Sequence, residues 1–173
     1  MKALLLLLSL ISFTTLHCVC STKSLKVGDK APDFELINQN GEIVKLSDFK
    51  GKKVALYFYP KDSTPGCTQQ ACSLRDSFAL LRDAGITILG LSKGSVKSKQ
   101  KFIAKHHLNF PLLIATEEIL KCYGVDTGLL RFYLPKRRTF LVNEEGIIVA
   151  IIEKVDTKNH AQQILNAFLT PLR

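Results

Sequence analysis

Cys67 and Cys72 are the residues of this chain best placed to do chemistry, and Thr64-Pro65-Gly66 sets the terms for the first of them. That tripeptide reads as a helix start, with threonine at the N-cap and proline at the first helical position. Cys67 then falls in the first turn. Backbone N–H groups without intrahelical acceptors and the positive end of the helix dipole favour an anion there. The anion of a cysteine is its thiolate, the nucleophilic form. A free cysteine is ordinarily a small buried residue, but packing alone does not select Thr-Pro-Gly in front of one. Cys72 follows five residues later on the same helix. Five residues turn about 500° and rise about 7.5 Å, which points the two sulfurs apart and beyond the Cα separation a disulfide accepts. They can join only if the start of the helix unwinds. A pair that joins therefore implies a reduced form with the helix made and an oxidised form with its first turns melted; the alternative reading is that Cys72 merely packs.

The elements that must position these thiols are legible around them. Residues 54–59 form an apolar run rich in β-formers, a central strand that Pro60 ends before the Lys61-Asp62-Ser63 loop. The cysteine helix is expected to continue to about Ala84, with Leu74, Phe78 and Leu81 facing the core and Gly85 closing it. Upstream, residues 34–37 and 42–46 alternate around Asn40-Gly41 as a β-hairpin, and residues 47–51 make a connector with a helical turn. Downstream, residues 86–91 form a doubly buried strand and residues 96–107 an exposed amphipathic helix. Residues 110–114 form a short strand, and residues 116–123 a helix that stops at Gly124. Residues 137–143 and 147–152 form a hairpin across Glu144-Glu145-Gly146. Residues 158–169 close the chain as a helix with Ile164, Leu165 and Phe168 inward. Strands alternating with helices, then a hairpin and a last helix, indicate an α/β fold with a mixed sheet.

A chain of 173 residues, 46% hydrophobic and 23% charged, suits one globular domain. The formal charge of +9 raises the question of nucleic acid. The basic residues are scattered apart from local clusters at 93–105 and 136–138, and no nucleic-acid motif accompanies them, so a solvated basic surface is expected. Met1-Lys2 followed by the apolar run 3–16 and the small residues Cys18-Val19-Cys20 reads as a signal peptide over residues 1–20, too short for a spanning helix. That gives a mature domain of residues 21–173 and an exported, periplasmic or otherwise extracytoplasmic protein without stable membrane insertion. Lipidation at Cys18 or Cys20 is disfavoured, since Thr15-Leu16-His17-Cys18 makes a poor lipobox. Cys67, Cys72 and Cys122 remain after cleavage, an odd count that argues against a structural disulfide framework. A metal site is disfavoured: Cys-x4-Cys is an unusual zinc spacing, no second pair stands at ligand intervals, and the adjacent His106 and His107 point apart on a helix. No phosphate-cradling glycine loop is present.

Pro60-x-x-x-Thr64-x-x-Cys67, within YFYPKDSTPGCTQQACSLRD, resembles the active-site loop of peroxiredoxins, and the Cys67/Cys72 pair resembles the Q-type, or bacterioferritin comigratory protein, subfamily. The likeness runs from about residue 27 to 169, including VGDKAPDFEL, RRTFLVNEEG and an Arg-x-x-Phe. It implies a thioredoxin-like fold with a central mixed sheet flanked by helices, and reduction of hydrogen peroxide and organic hydroperoxides without metal or organic cofactor. By that resemblance Cys67 is the peroxidatic cysteine, Thr64 binds the peroxide, Pro60 shields the site, and Arg137 holds the thiolate, with Arg138 the alternative one register away. Cys72 resolves the sulfenic acid as an intramolecular disulfide, and thioredoxin or a similar dithiol restores both thiols. A monomer is expected, because both thiols lie in one chain. Cys122 reads as a buried bystander, and residues 129–134 as core or as a substrate or reductant surface. The leader departs from that subfamily's mainly cytoplasmic or plastid setting, so an exported enzyme would need its own extracytoplasmic donor. A thiol–disulfide exchange protein of the same fold is the competing function, disfavoured by the lack of Cys-x-x-Cys and the presence of Thr64 with Arg137.

Overall fold

The apolar run after Lys52 becomes β3 (Lys53–Phe58), the middle strand of a five-stranded sheet in a computed structural model that describes residues 24–126 and 134–170. The sheet runs in the order β5 (Leu112–Ile114), β4 (Ile86–Ser92), β3, β6 (Arg138–Val142), β7 (Ile148–Ile152). β3, β4 and β5 are parallel, while β6 lies antiparallel to β3 and β7 antiparallel to β6. The period-two geometry of β3 divides its side chains between two cores. Val54, Leu56 and Phe58 enter one, and Ala55, Tyr57 and Tyr59 enter the other. Each large apolar side chain so buried contributes about 1.5–3 kcal/mol, which makes β3 the rigid platform for the loop that follows it.

The second core is covered by α1 (Pro65–Asp76), α2 (Phe78–Asp83), α5 (His160–Leu169) and Phe102 of α3 (Val96–His106). The first is covered by α4 (Glu117–Cys122) and by the hairpin of β1 (Glu35–Ile37) and β2 (Ile43–Lys45) with its 3-10 turn at Leu46–Phe49. The hairpin is fixed to the sheet through a bridge between Asn38 and Leu113. The α/β architecture, mixed sheet and N-terminal hairpin stand as expected from the sequence.

Two local expectations change. The cysteine helix does not run unbroken to Ala84: Ser77 relaxes to φ −102°, ψ 13° and divides it into α1 and α2, although backbone bonds from Ser77 N–H to Ser73 and from Leu81 N–H to Ser77 persist on either side. The expected core-facing residues hold: Leu74, Leu81 and Ile164 are fully buried, and Phe78, Leu165 and Phe168, partly buried, pack against the same core. The helix after β4 is not simply exposed. It ends at His106, with His107 left-handed (φ 51°), and it carries a lysine, Lys99, with no exposed surface at all. The leader over residues 1–20 and residues 129–133 lie outside the described residues, and Leu134 is exposed.

Candidate active site

Cys67 occupies the third position of α1, after Pro65 at the first, with Thr64 as the N-cap residue. The first helical hydrogen bond runs from Thr68 N–H to the Thr64 carbonyl at 2.8 Å, so the N–H groups of the first turn are left for other partners. The Thr64 side chain does not cap the helix. Its hydroxyl donates to the Lys61 carbonyl at 3.1 Å, folding the 61–64 loop on itself beside the helix start. Pro60, half-buried, ends the ladder that β3 makes with its neighbours.

Cys67 is buried, with 1% of its surface exposed, and its sulfur receives a hydrogen bond from Arg137 Nη2 at 3.2 Å. Arg137 stands one residue before β6, where Phe58 at the end of β3 pairs with Arg138. Successive side chains leave a strand on opposite faces, and here they separate cleanly. Arg137 turns to Cys67, while Arg138 Nη2 pairs with Glu153 Oε1 at 3.0 Å. Gly66 lies close under the guanidinium: a Cβ there would stand 3.3 Å from Arg137 Nη2, a tight contact.

Sequence reasoning missed what holds the guanidinium in place. Arg137 Nη1 donates to Gln70 Oε1, and Gln70 Nε2 lies 2.7 Å from His160 Nδ1. His160 Nε2 is in turn 3.1 Å from Thr139 Oγ1. Because the amide oxygen of Gln70 faces an arginine, its NH₂ must face the ring; Nδ1 therefore accepts and Nε2 carries the proton, donating to Thr139. Gln70, Thr139 and His160 are all 0% exposed. Gln70 stands three residues after the cysteine and so shares its helix face, but nothing in the sequence marks its burial or its partners.

Cys72 lies half-buried on the unbroken α1, and it and Cys67 are the free thiols among the described residues. Cys122 is buried and disulfide-bonded, which corrects its reading as an unpaired bystander. The start of α1 is tied down by Gln70 and by the Thr157 hydroxyl, which donates to Gln69 Oε1 at 2.5 Å. Its far end is tied to α3 by Arg75 Nη1 on the His106 carbonyl at 2.5 Å. No cluster of three or more candidate metal ligands occurs among the described residues, and no helix among them is long and apolar enough to cross a membrane.

Known proteins share this arrangement. The AhpC/TSA family matches residues 27–151. The chain is 46% identical over 147 residues to a bcp protein of Coxiella burnetii, covering 82% of this chain and 97% of that one. It is 41% identical to peroxiredoxin Bcp of Bacillus subtilis, covering 82% and 94%. Among solved structures, peroxidoxin BcpB of Mycobacterium tuberculosis superposes with a TM-score of 0.78 at 32% identity, over 84% of this chain and 97% of that one. The bacterioferritin comigratory protein of Xanthomonas campestris gives 0.73 at 33%, over 79% and 90%. The chain belongs to the AhpC/TSA family. It is a peroxiredoxin of the bacterioferritin comigratory, or Q, type.

A peroxiredoxin is a thiol peroxidase, and this one carries a buried imidazole behind its arginine. Burial, then the neighbouring Arg137 charge, pushes the His160 ring down to about 3. The native peroxiredoxin therefore binds fewer protons than its unfolded chain between the ordinary histidine value of about 6.5 and about 3. Stability from this group is complete above the upper limit and is lost as pH falls toward the lower one. The expected slope is about 1.4 kcal/mol per pH unit. Urea unfolding from pH 7 to pH 4 should show it in the wild type and not in His160→Gln; parallel curves would contradict it.

Proposed function

We propose that Cys67 is the peroxidatic cysteine and Cys72 its resolving partner in a cycle that reduces hydrogen peroxide and alkyl hydroperoxides at the expense of a thioredoxin-type dithiol. The observation that carries the reading is the Arg137 guanidinium on the sulfur of a cysteine in the first turn of a helix. Two positive influences converge on that sulfur, from the side chain and from the helix terminus. The Xanthomonas relative, a solved structure, is described as having alkyl peroxide reduction activity, which supports the substrate class.

In the first step the Cys67 thiolate attacks one peroxide oxygen. An S–O bond forms, the O–O bond breaks, and the other oxygen leaves as an alkoxide that takes a proton to become alcohol or water. Arg137 offers N–H donors to the thiolate and to the oxygen on which charge develops. Thr64, released from the Lys61 carbonyl, hydrogen-bonds the incoming peroxide, and Pro60 shields the thiolate from bulk water. Cys67 is left as a sulfenic acid. The Cys72 thiolate then attacks that sulfur, forming the disulfide and expelling hydroxide, which leaves as water. A dithiol donor reduces the bridge through a mixed disulfide and is itself oxidised.

The second step cannot proceed on the intact helix, for the geometric reason given by the five-residue offset. Oxidation of Cys67 therefore has to release Gln70 from Arg137 and His160 and unwind the first turns of α1, with the anchored Arg75 end left in place. Because both thiols sit on one helix, we propose a monomer as the working unit. The apolar leader supports action outside the cytoplasm with a donor resident there.

The test is NADPH oxidation coupled through thioredoxin reductase and thioredoxin to hydrogen peroxide or tert-butyl hydroperoxide. Wild type should turn over. Cys72→Ser should consume about one equivalent of peroxide in a single rapid phase and then stop. Sustained cycling by Cys72→Ser would remove Cys72 from the resolving role.

A further inference from the structure

Against the Pro60–Thr64 loop lies a second buried charged group that the cycle above does not use. Lys99, in the second turn of α3, is 0% exposed, and Asp62, with 8% of its side chain exposed, takes its charge at 2.9 Å. The three protons of the ammonium have close acceptors: Asp62 Oδ1, the Tyr59 hydroxyl at 2.9 Å, and the Ser92 hydroxyl, with the Lys93 carbonyl further off at 3.4 Å. The carboxylate is equally occupied. Tyr59 donates to Oδ1 at 2.7 Å and Ser98 to Oδ2 at 2.7 Å. The end of β3 and the start of α3 thus reach the aspartate directly, and the end of β4 and the loop after it join through the Lys99 ammonium.

This cluster is built around Asp62. Gly94, at φ 142°, has no room for a side chain, since a Cβ there would stand 2.8 Å from Ser98 Oγ and 3.4 Å from Asp62 Oδ2. Ser98 also serves the capping box of α3 with Ser95, so helix start and carboxylate are set together. A fully buried lysine is costly to desolvate, and burial pulls its proton affinity down against the opposing pull of Asp62 and of Cys67. A surface arginine or a polar side chain could satisfy an aspartate in an ordinary loop at lower cost.

The placement of Asp62 says what the cluster is for. Ser63, next in the chain, is left-handed at φ 61° without being glycine, a conformation that persists only where the surroundings dictate it. Thr64 follows, then the helix start that presents Cys67. The loop is thus fixed on one side by β3 and on the other by α1, with Asp62 the only charged anchor that ties its middle to another element among the described residues.

We propose that Lys99 is a positioning residue of the peroxide reaction: its buried ammonium pins Asp62 and thereby holds Ser63 and Thr64 in the conformation that admits peroxide to Cys67. Lys99 makes no hydrogen bond to the sulfur; its hydrogen bonds go to Asp62, Tyr59, Ser92 and Lys93, and it acts on the reaction through the loop they hold. The same pin gives the unwinding step a fixed boundary, since the loop stays on β3 and α3 while the first turns of α1 come apart. The proposal rests on Cys67 being the peroxidatic residue.

The test compares Lys99→Met, Asp62→Asn and the double variant in the full-length reduced protein, reading the second-order rate of oxidation by hydrogen peroxide in stopped flow and the melting temperature of each. Either single variant leaves one buried charge or donor without its partner, and should lower the melting temperature by about 10 °C. Each should also slow peroxide oxidation by at least about tenfold, because sub-ångström misplacement of a positioning group has effects of that order or larger. In the double variant the orphaned charge is gone, so most of the thermal stability returns. The peroxide rate should not return, since the pin is still missing. A rate that recovers together with the melting temperature, or a Lys99→Met rate within twofold of wild type, would overturn the proposal and leave Lys99 a structural residue. If Lys99→Met does not fold, the double variant and Ser98→Ala, which removes the Oδ2 donor and one half of the α3 capping box but leaves the Lys99–Asp62 pair, decide the matter: slowed oxidation in both supports the pin, and wild-type rates in both overturn it. A wild type that does not react with peroxide would instead overturn the assignment of Cys67, and the proposal with it.

Discussion

Cys67→Ser should consume no peroxide above the rate of a protein-free control, a loss of more than about 10³-fold by comparison with nucleophile removal in other enzymes. The substitution takes away only the polarizable anion. A serine hydroxyl is close in size, and Arg137 remains 3.2 Å from where the sulfur stood, so the buried oxygen keeps a hydrogen-bond donor and the fold has little reason to change. Serine stays protonated in water, and neither the first turn of α1 nor one guanidinium supplies enough stabilisation to ionise it. Thr64 and Arg137 would still bind peroxide, but there would be no electron pair to break the O–O bond. Residual turnover in this variant, read with hydrogen peroxide in the thioredoxin-coupled assay, would move the nucleophile elsewhere.

Arg137→Ala should slow peroxide oxidation of Cys67 by roughly 10²-fold, the usual consequence of removing one preorganised donor from a developing oxyanion. The site loses the donor on the sulfur, and the Gln70 amide oxygen loses the Arg137 donor while the residue remains fully buried and bonded to His160. Arg138→Ala is the internal control. Arg138 faces the other way and pairs with Glu153, which is 64% exposed. Ion pairs of that kind contribute about 0–1 kcal/mol, and the rate should stay within about twofold of wild type. The two variants differ by one position in sequence and by the face of the sheet in space. Equal effects would mean that Arg137 acts through the fold of β6 rather than through its guanidinium.

What the sequence made legible was local. Pro60, Thr64, Cys67 and Cys72 lie within thirteen residues, so strand end, helix start and thiol spacing could be read from capping and periodicity alone. Arg137 entered only through resemblance, because its meeting with Cys67 is made by the pairing of β6 with β3 across 70 residues. Gln70 and His160 went unread for the same reason: a glutamine and a histidine 90 positions apart carry no mark of their contact. Lys99 is the sharper lesson. It stands in a basic stretch that reads as solvated, yet it shares a helix face with Phe102 and Ile103, and that face is what takes it inside. The helix break at Ser77 escaped for a different reason, since the apolar spacing of Leu74 and Leu81 continues across it.

The measurement that bears most directly on the account is the covalent state of Cys67 and Cys72 after one peroxide turnover. Reduced full-length protein is treated with one equivalent of hydrogen peroxide, quenched with an alkylating agent and digested with trypsin. Cleavage after Lys61 and Arg75 places both cysteines in one peptide, residues 62–75. The account predicts that peptide two hydrogens lighter than its reduced form and unalkylated, returning to the dialkylated mass when thioredoxin and its reductase are added before the quench. An alkylated Cys72 beside a Cys67 held as sulfenic or sulfinic acid, with no loss of two hydrogens, would contradict the intramolecular bridge and with it the unwinding of α1.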